Sequence, residues 1–357
     1  MKFWRRCALE ETMKIKAIKI LSLLITISFL FSLVACTDNA DNTGNQGNGQ
    51  LSFNKLSNDT YEVSVGGATA KDSIVIPETY QGLPVTRIAD RAFANCTGLK
   101  SITIPESVTE IGSYAFYFCT ALESVKIPVS VAKIGFGAFT SCHKLDKVYT
   151  DDVAKWCAIK FENEGANPLK HGHNLYVGET AAETLTIPEG VEIIEKYAFY
   201  GLRNSTKVVM PSSLKTIGAF AFSGASSLTT VDIPDSVTNI GDSAFARCTS
   251  LLKITLPNSL STIGNLTFHY CSSLTDITIP ASITSIESYA FRDCTSLSMV
   301  MFEDPNGWTI AESSGAIAGT GTPILPKTFE SPETVASYLR QNYRSYYWTR
   351  STQSIAP

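Results

Sequence analysis

Residues 104–126 read IPESVTEIGSYAFYFCTALESVK, and this unit recurs along the chain and decides the fold. An apolar residue followed by proline returns every 23 residues, with one longer interval. A phenylalanine keeps the same step, at Phe93, Phe116, Phe139, Phe199, Phe222, Phe245, Phe268 and Phe291. Chance does not place three and then five copies at a step of 23 residues. The sequence therefore predicts one repeat architecture, although 357 residues could hold two globular domains.

The spacing of apolar residues predicts a short strand at the end of each unit. Val125 and Ile127 lie two residues apart and so share one face of a strand, whereas Lys126 faces the other way. Pro128 ends the strand because it has no N–H for a neighbouring ladder. A 23-residue period built around Leu-x-x-Val-x-Ile falls in the range of leucine-rich repeats.

The remainder of each unit returns the chain to the next strand. We expect Ile134-Gly135 to turn the chain, and Ala138-Phe139 with Cys142 to form a short helical or turn segment. No single coil could bury its apolar residues alone, so the coils must stack, with their strands parallel at about 4.8 Å. The predicted fold class is an α/β solenoid: a right-handed leucine-rich-repeat coil with short parallel strands, capped at both ends.

The pattern I-P-x-x-V-x-x-I-G-x-x-A-F-x-x-C resembles that of the BspA-like leucine-rich-repeat surface proteins of bacteria. The resemblance covers residues 51 to about 350 and is much narrower than a generic leucine-rich repeat. It implies a non-catalytic role in attachment to host or microbial surfaces, through a protein or glycan ligand. The alternative is a structural or scaffolding module of the bacterial envelope that binds other bacterial proteins.

The repeats are flanked by segments that depart from the pattern. We expect an N-terminal cap with the lead-in to the first repeat at 51–90, where 51–65 form a hairpin around Asn58-Asp59. Repeats follow at 91–303, with an enlarged coil at 151–187 that contains a short helix capped by Asp151 or Asp152. A C-terminal cap occupies 304–357 and includes a helix after Ser331.

The N-terminal 50 residues have the layout of a secretory leader followed by a tether. A basic start and an apolar run predict a signal peptide over 1–35, with Met13 as the expected true start. Leu33-Val34-Ala35-Cys36 resembles the bacterial lipobox, which implies lipidation of Cys36. A cleaved signal without lipid and an uncleaved anchor are the alternatives. Residues 36–50, poor in large apolar residues, are expected to form a flexible tether.

Composition and motifs argue against several classes of function. A net charge of −4 without clustered Lys and Arg gives no nucleic-acid footprint. No GxSxG, HExxH, phosphate loop or dinucleotide fingerprint occurs in the sequence. We therefore expect no enzyme activity and no cofactor. The expected protein is a monomer, held at the outward side of a bacterial cell envelope through its lipid alone.

Three groups of residues have both a chemical and a structural interpretation. The repeat cysteines could pair across neighbouring coils or remain small buried thiols that donate to loop carbonyls. His171 and His173 with Cys157 could bind a metal, but without an evident fourth ligand we expect a solvated loop and no metal. The tyrosines and tryptophan at 343–348 could stack on sugars or pack in the C-terminal cap.

The outward strand positions form the remaining candidate surface. Most of them are Ser and Thr, which are ordinary solvent-facing strand residues. Lys126, Lys147 and Tyr149 depart from that composition and lie next to the insertion. We expect these three residues to form the ligand-binding region.

Overall fold

The computed structural model describes residues 51–65, 72–312, 322–324, 326–342 and 345–350. It confirms the solenoid: a parallel β-solenoid of about 10 turns with little helix, in which most coils repeat at the 23-residue step. The chain enters through an antiparallel hairpin of β1 (Leu51–Lys55) and β2 (Tyr61–Val65). Asp59 has a φ of 57° in the turn between them, at the predicted Asn-Asp site.

Each coil contributes a first strand of about three residues at the predicted Leu-x-x-Val-x-Ile position. In the N-terminal half this first ladder comprises β3 (Ser73–Val75), β6 (Ser101–Thr103), β8 (Ser124–Lys126), β10 (Lys147–Thr150) and β12 (Asn174–Val177). In the C-terminal half it comprises β14 (Thr184–Thr186), β16 (Lys207–Val209), β18 (Thr230–Asp232), β20 (Lys253–Thr255), β22 (Asp276–Ile279) and β24 (Met299–Phe302). The central residue of each strand is buried and its neighbours face outward, as the alternation predicts.

A second strand follows in each coil, two residues long in the coils after the first, where the sequence predicted only a turn. In the N-terminal half this second ladder comprises β5 (Leu83–Ile88), which also pairs with β4 (Thr79–Tyr80), then β7 (Glu110–Ile111), β9 (Lys133–Ile134) and β11 (Lys160–Phe161). In the C-terminal half it comprises β15 (Ile193–Ile194), β17 (Thr216–Ile217), β19 (Asn239–Ile240), β21 (Thr262–Ile263) and β23 (Ser285–Ile286). The expected turn at Ile134 is therefore wrong, because Ile134 pairs with Ile111 before the chain bends.

The glycine after the second strand lies where two coils approach each other too closely for a side chain. A β-carbon on Gly135 would lie 2.5 Å from the backbone nitrogen of Ser113, and one on Gly218 would lie 2.5 Å from that of Lys196. Each obstacle is backbone of the preceding coil, which cannot move away cheaply. The Ile-Gly pair of the repeat therefore ends the second strand and brings the coils together.

Phenylalanine stacks run through the centre of both halves. The rings of Phe116 and Phe139 lie 5.0 Å apart between centroids, and those of Phe222 and Phe245 lie 5.4 Å apart with an interplanar angle of 4°. All the repeat phenylalanines are fully buried, and burying each one contributes about 1.5–3 kcal/mol. A coil completes its core only against its neighbours, which makes stability a property of the stack.

The long interval between Phe139 and Phe199 contains one complete coil and an added hairpin. Lys147 pairs with Asn174 in the first ladder, so this coil has a step of 27 residues. It contains α1 (Val153–Cys157), β11 and α2 (Leu169–Gly172). Asp152 caps α1, accepting from the amides of Ala154 and Lys155. β13 (Thr180–Ala181) then folds back antiparallel on β12 before β14 begins the next coil.

Side chains join the two halves at this point, where β12 and β14 are not paired. Asn204 Nδ2 donates to the Leu175 carbonyl at 2.8 Å, and the Leu175 amide donates to Asn204 Oδ1 at 3.1 Å. Trp156 Nε1 and Asn167 Nδ2 both donate to the Ala198 carbonyl, at 2.7 and 2.9 Å. The side-chain amide of Asn204 thus takes the place of a neighbouring strand's backbone.

A compact C-terminal cap closes the last coil. It contains β25 (Trp308–Ala311), β26 (Thr322–Pro323), a 3-10 helix (Pro326–Glu330), α3 (Pro332–Ser337), a π-helix (Tyr338–Asn342) and β27 (Tyr347–Arg350). Ser331 is the N-cap of α3 and accepts from the Thr334 amide, as the sequence predicted. Buried Trp308 and Trp348 and the contact of α3 with β24 cover the end of the core.

Candidate functional site

The structure brings the three predicted contact residues together on the outward face of the first ladder. Lys126 is the last residue of β8, and it pairs directly with Tyr149 of β10. Lys147 lies two residues before Tyr149 on the same strand, so both side chains leave the sheet on the same side. The lysines are exposed and the tyrosine is half-buried. Because the strands pair in parallel register, side chains 23 residues apart in the sequence, such as Lys126 and Tyr149, lie next to each other on one surface.

Tyr176 is a fourth member that the sequence reasoning did not identify. It lies on β12 opposite Tyr149, and the two ring centroids are 5.0 Å apart with planes tilted by 32°. Lys147 Nζ lies 5.8 Å from the centre of the Tyr176 ring, within the range of a cation–π contact. Lys126, Lys147, Tyr149 and Tyr176 are called the strand-face patch below. The sequence did not indicate Tyr176, because the insertion breaks the repeat phase that would have aligned it with Tyr149.

The two lysines of the strand-face patch have different electrostatic surroundings. Lys126 Nζ lies 2.6 Å from Asp151 Oδ2, and this hydrogen bond raises the pKa of Lys126. Lys147 forms no ion pair with any carboxylate in the described part of the chain. The patch thus offers a paired donor and acceptor at one side and an unneutralised cation beside an aromatic ring at the other.

The rest of the outward face combines small polar, charged and single aliphatic side chains. Before the patch, β3 presents Ser73 and Val75 and β6 presents Ser101 and Thr103, and Ser124 lies beside Lys126 on β8. Coils after the insertion present single lysines, Thr and Asp residues and the exposed Val209, without an aromatic side chain at these strand positions from β14 to β22. Met299 and Met301 are exposed on β24, at the far end. The strand-face patch is the place on this face where aromatic and cationic side chains meet.

The repeat cysteines are buried thiols that hydrogen bond to the preceding coil. Cys142 Sγ donates to the Phe116 carbonyl at 3.2 Å, and Cys248 Sγ donates to the Phe222 carbonyl at 3.3 Å. Cys119, Cys271 and Cys294 make the same contact. Burial raises the pKa of Cys142 and of Cys248 to about 12, so these thiols are protonated at neutral pH. Of the two interpretations left open by the sequence, this geometry is that of structural thiols.

The ring nitrogens of the two histidines in the insertion contact backbone groups of neighbouring coils. His171 lies in α2, where its Nε2 accepts from the Ser141 amide at 3.3 Å, and His173 Nδ1 contacts the Gly201 carbonyl at 3.1 Å. Burial lowers the pKa of His171 to about 4. Both rings are half-buried, so the expectation of a solvated loop was wrong. Within the described ranges, no cluster of three His, Cys, Asp or Glu residues could hold a metal ion.

The C-terminal aromatic residues belong to the cap rather than to an open platform. Trp348 is buried on β27, and Tyr346 Oη donates to Glu312 at 2.9 Å. Tyr343 lies outside the described residues, as do Cys36 and the whole of the expected leader and tether. In the portion that is described, none of the helices is long and apolar enough to cross a membrane.

Comparison with known proteins gives one family and several similar structures. A model of the BspA type leucine-rich repeat region matches residues 69–163 and 171–298 in six copies. A leucine-rich repeat protein from Bacteroides ovatus is 27% identical, with a TM-score of 0.50 over 71% of this chain and 70% of that one. Comparison with curated proteins gives no match.

Two further solved structures align over comparable lengths. A leucine-rich cell surface protein from Faecalibacterium prausnitzii is 22% identical, with a TM-score of 0.34 over 74% of this chain and 96% of that one. A leucine-rich repeat protein from T. pallidum is 21% identical, with a TM-score of 0.31 over 71% and 90% of the two chains.

Proposed function

The chain belongs to the BspA-type leucine-rich-repeat family, and from that premise we propose that it is a non-catalytic surface protein whose strand-face patch binds a protein or glycan ligand. Family membership supports a repeat-based binding surface. The proposed position of the binding site rests on one observation: Lys126, Lys147, Tyr149 and Tyr176 lie together on one face of the first ladder. Two tyrosines supply rigid contact area, and lysines beside them supply directional polar contacts.

We further propose that the protein is anchored to the outward side of a bacterial envelope through a lipid on Cys36. The support is the Leu33–Cys36 signal behind a basic and apolar leader. Fourteen residues without a large apolar side chain, Thr37 to Gln50, separate Cys36 from β1 and would hold the solenoid away from the bilayer. Adhesion to a host or microbial surface is the role that this placement fits. Binding to another bacterial envelope protein is the alternative.

The binding proposal is tested with a triple variant of the full chain, Lys126→Ala, Lys147→Ala and Tyr149→Ala. The matched control is Thr186→Ala, Lys207→Ala and Thr255→Ala, which changes exposed first-ladder positions on β14, β16 and β20, outside the patch. Both variants and the parent are compared on protein and glycan arrays after their thermal unfolding is shown to be alike. Loss of a ligand in the patch variant alone supports the proposal, and equal binding by both variants overturns it.

The anchor is tested by mass spectrometry of the protein isolated from membranes. We expect a mature chain that begins at a diacylglyceryl-modified Cys36. We also expect the Cys36→Ser variant to be released from the envelope. An N-terminus elsewhere, or one at Cys36 without lipid, contradicts it.

A further inference from the structure

We propose that the ligand of the strand-face patch is an acidic glycan: a pyranose ring packs on the Tyr149–Tyr176 surface while its carboxylate or sulfate contacts Lys147. This inference rests on the proposed function, since it concerns the same patch. The two half-buried rings pack against each other, 5.0 Å apart between centroids and with planes tilted by 32°, and their exposed parts together give an aromatic surface that spans two coils. Aromatic surfaces of this kind contact the C–H face of a sugar without needing a deep pocket.

One of the two ammonium groups of the patch, that of Lys147, is left unpaired by the residues that the structure describes and can contact an acidic ligand. The Lys126 ammonium is already neutralised by Asp151 at 2.6 Å. Lys147 is exposed, makes no ion pair among the described residues, and has its Nζ 5.8 Å from the centre of the Tyr176 ring. A ligand anion placed over the tyrosines would therefore meet the Lys147 ammonium first. A hydrogen bond between two charged groups is stronger than one between neutral groups.

The polar side chains around the rings favour a glycan over an acidic peptide. The Lys126–Asp151 pair sets a donor next to an acceptor, which matches neighbouring sugar hydroxyls. The coils on the N-terminal side add the hydroxyls of Ser124, Ser101 and Thr103. A protein partner usually buries large anchors in a well-packed apolar centre, and these short hydroxyl side chains do not provide one.

The test uses the full chain and immobilised acidic glycans with their neutral counterparts. The probes are hyaluronan and polysialic acid, each beside its carboxyl-reduced form, and heparin beside its desulfated, carboxyl-reduced form. Binding is measured by interferometry for the parent, Lys147→Gln, Tyr176→Ala and Tyr176→Phe. Lys207→Gln is the matched control, because Lys207 occupies the same exposed first position on β16 that Lys147 occupies on β10.

The expected result is retention on at least one acidic probe, about tenfold weaker with Lys147→Gln or with the neutral counterpart. Tyr176→Ala should weaken binding by roughly threefold to tenfold, whereas Tyr176→Phe and Lys207→Gln should bind like the parent. Retention on no acidic probe, or equal binding to neutral forms, overturns the glycan inference. If the patch variant still loses a protein ligand on the arrays, the proposed function stands and only the ligand class fails.

Discussion

Replacement of Asn204 tests how the two halves of the solenoid are joined. Its side-chain amide makes two hydrogen bonds to Leu175, one to the carbonyl at 2.8 Å and one from the amide at 3.1 Å. In the regular coils those positions are bonded by the backbone of a neighbouring strand. Asn204→Ala removes both bonds and leaves the buried Leu175 amide facing an empty space.

The expected loss follows from the partners that remain. The Leu175 carbonyl keeps a second donor, the Ala182 amide at 2.9 Å, so it loses only one of two bonds. The Leu175 amide has no second acceptor within the described residues and would be left unsatisfied. One lost bond and one unsatisfied buried donor together cost about 2 kcal/mol. Asn204→Asp retains an oxygen acceptor for the amide and should protect it better than alanine does.

Urea unfolding and amide hydrogen exchange measure the two consequences separately. The free energy of unfolding should fall by about 2 kcal/mol in Asn204→Ala, and the Leu175 amide should exchange faster. The control is Asn239→Ala, since Asn239 is an exposed residue of β19 whose backbone remains in its ladder. A surface change of that kind should stay within about 0.5 kcal/mol. Similar stability of both variants, with unchanged exchange at Leu175, would refute the role assigned to Asn204.

Three other perturbations give direct results. Phe245→Ala removes a ring stacked between Phe222 and Phe268 and should lower the free energy of unfolding by about 3–5 kcal/mol. Phe245→Leu should cause a smaller loss, and equal losses of the two variants in urea titrations would contradict the role of the stacked ring. Burial raises the pKa of Cys248 to about 12, so this thiol should resist iodoacetamide at pH 8 until the chain is unfolded. The number of alkylated cysteines is measured by mass spectrometry, and rapid alkylation of Cys248 in the native protein would contradict the prediction. Burial lowers the pKa of His171 to about 4, so between pH 6.5 and 4 the unfolded chain binds more protons than the folded one. The unfolding midpoint should therefore drop as the pH falls through this range. If the midpoint of a His171→Gln variant depends on pH as steeply as that of the parent, His171 is not the cause.

The sequence allowed the first strand and the core of each coil to be predicted, because both depend on local alternation. Val125 and Ile127 are buried and Lys126 faces outward, as their two-residue spacing indicates. The second ladder was not predicted. A two-residue strand such as β9 has too little periodicity to be recognised, and it exists because Ile134 pairs with Ile111 of the previous coil.

The patch was predicted in part, for the same reason. Lys126, Lys147 and Tyr149 lie in phased coils, so their register followed from the 23-residue step. Tyr176 lies in a coil with a step of 27 residues, and its pairing with Tyr149 depends on how that coil closes. The convergence of Trp156 and Asn167 on one carbonyl of the next coil is likewise a tertiary contact, over 42 and 31 residues, that no local pattern encodes.

Photo-crosslinking on intact cells shows whether the ligand binds at the strand-face patch. A benzoylphenylalanine is placed at Tyr149 or, as the control, at Thr255, an exposed first-ladder residue of β20 on the same face. We expect a covalent adduct between position 149 and the ligand identified on the arrays, and no adduct from position 255. Equal adducts from both positions, or an adduct from position 255 alone, would contradict the assignment of the binding surface.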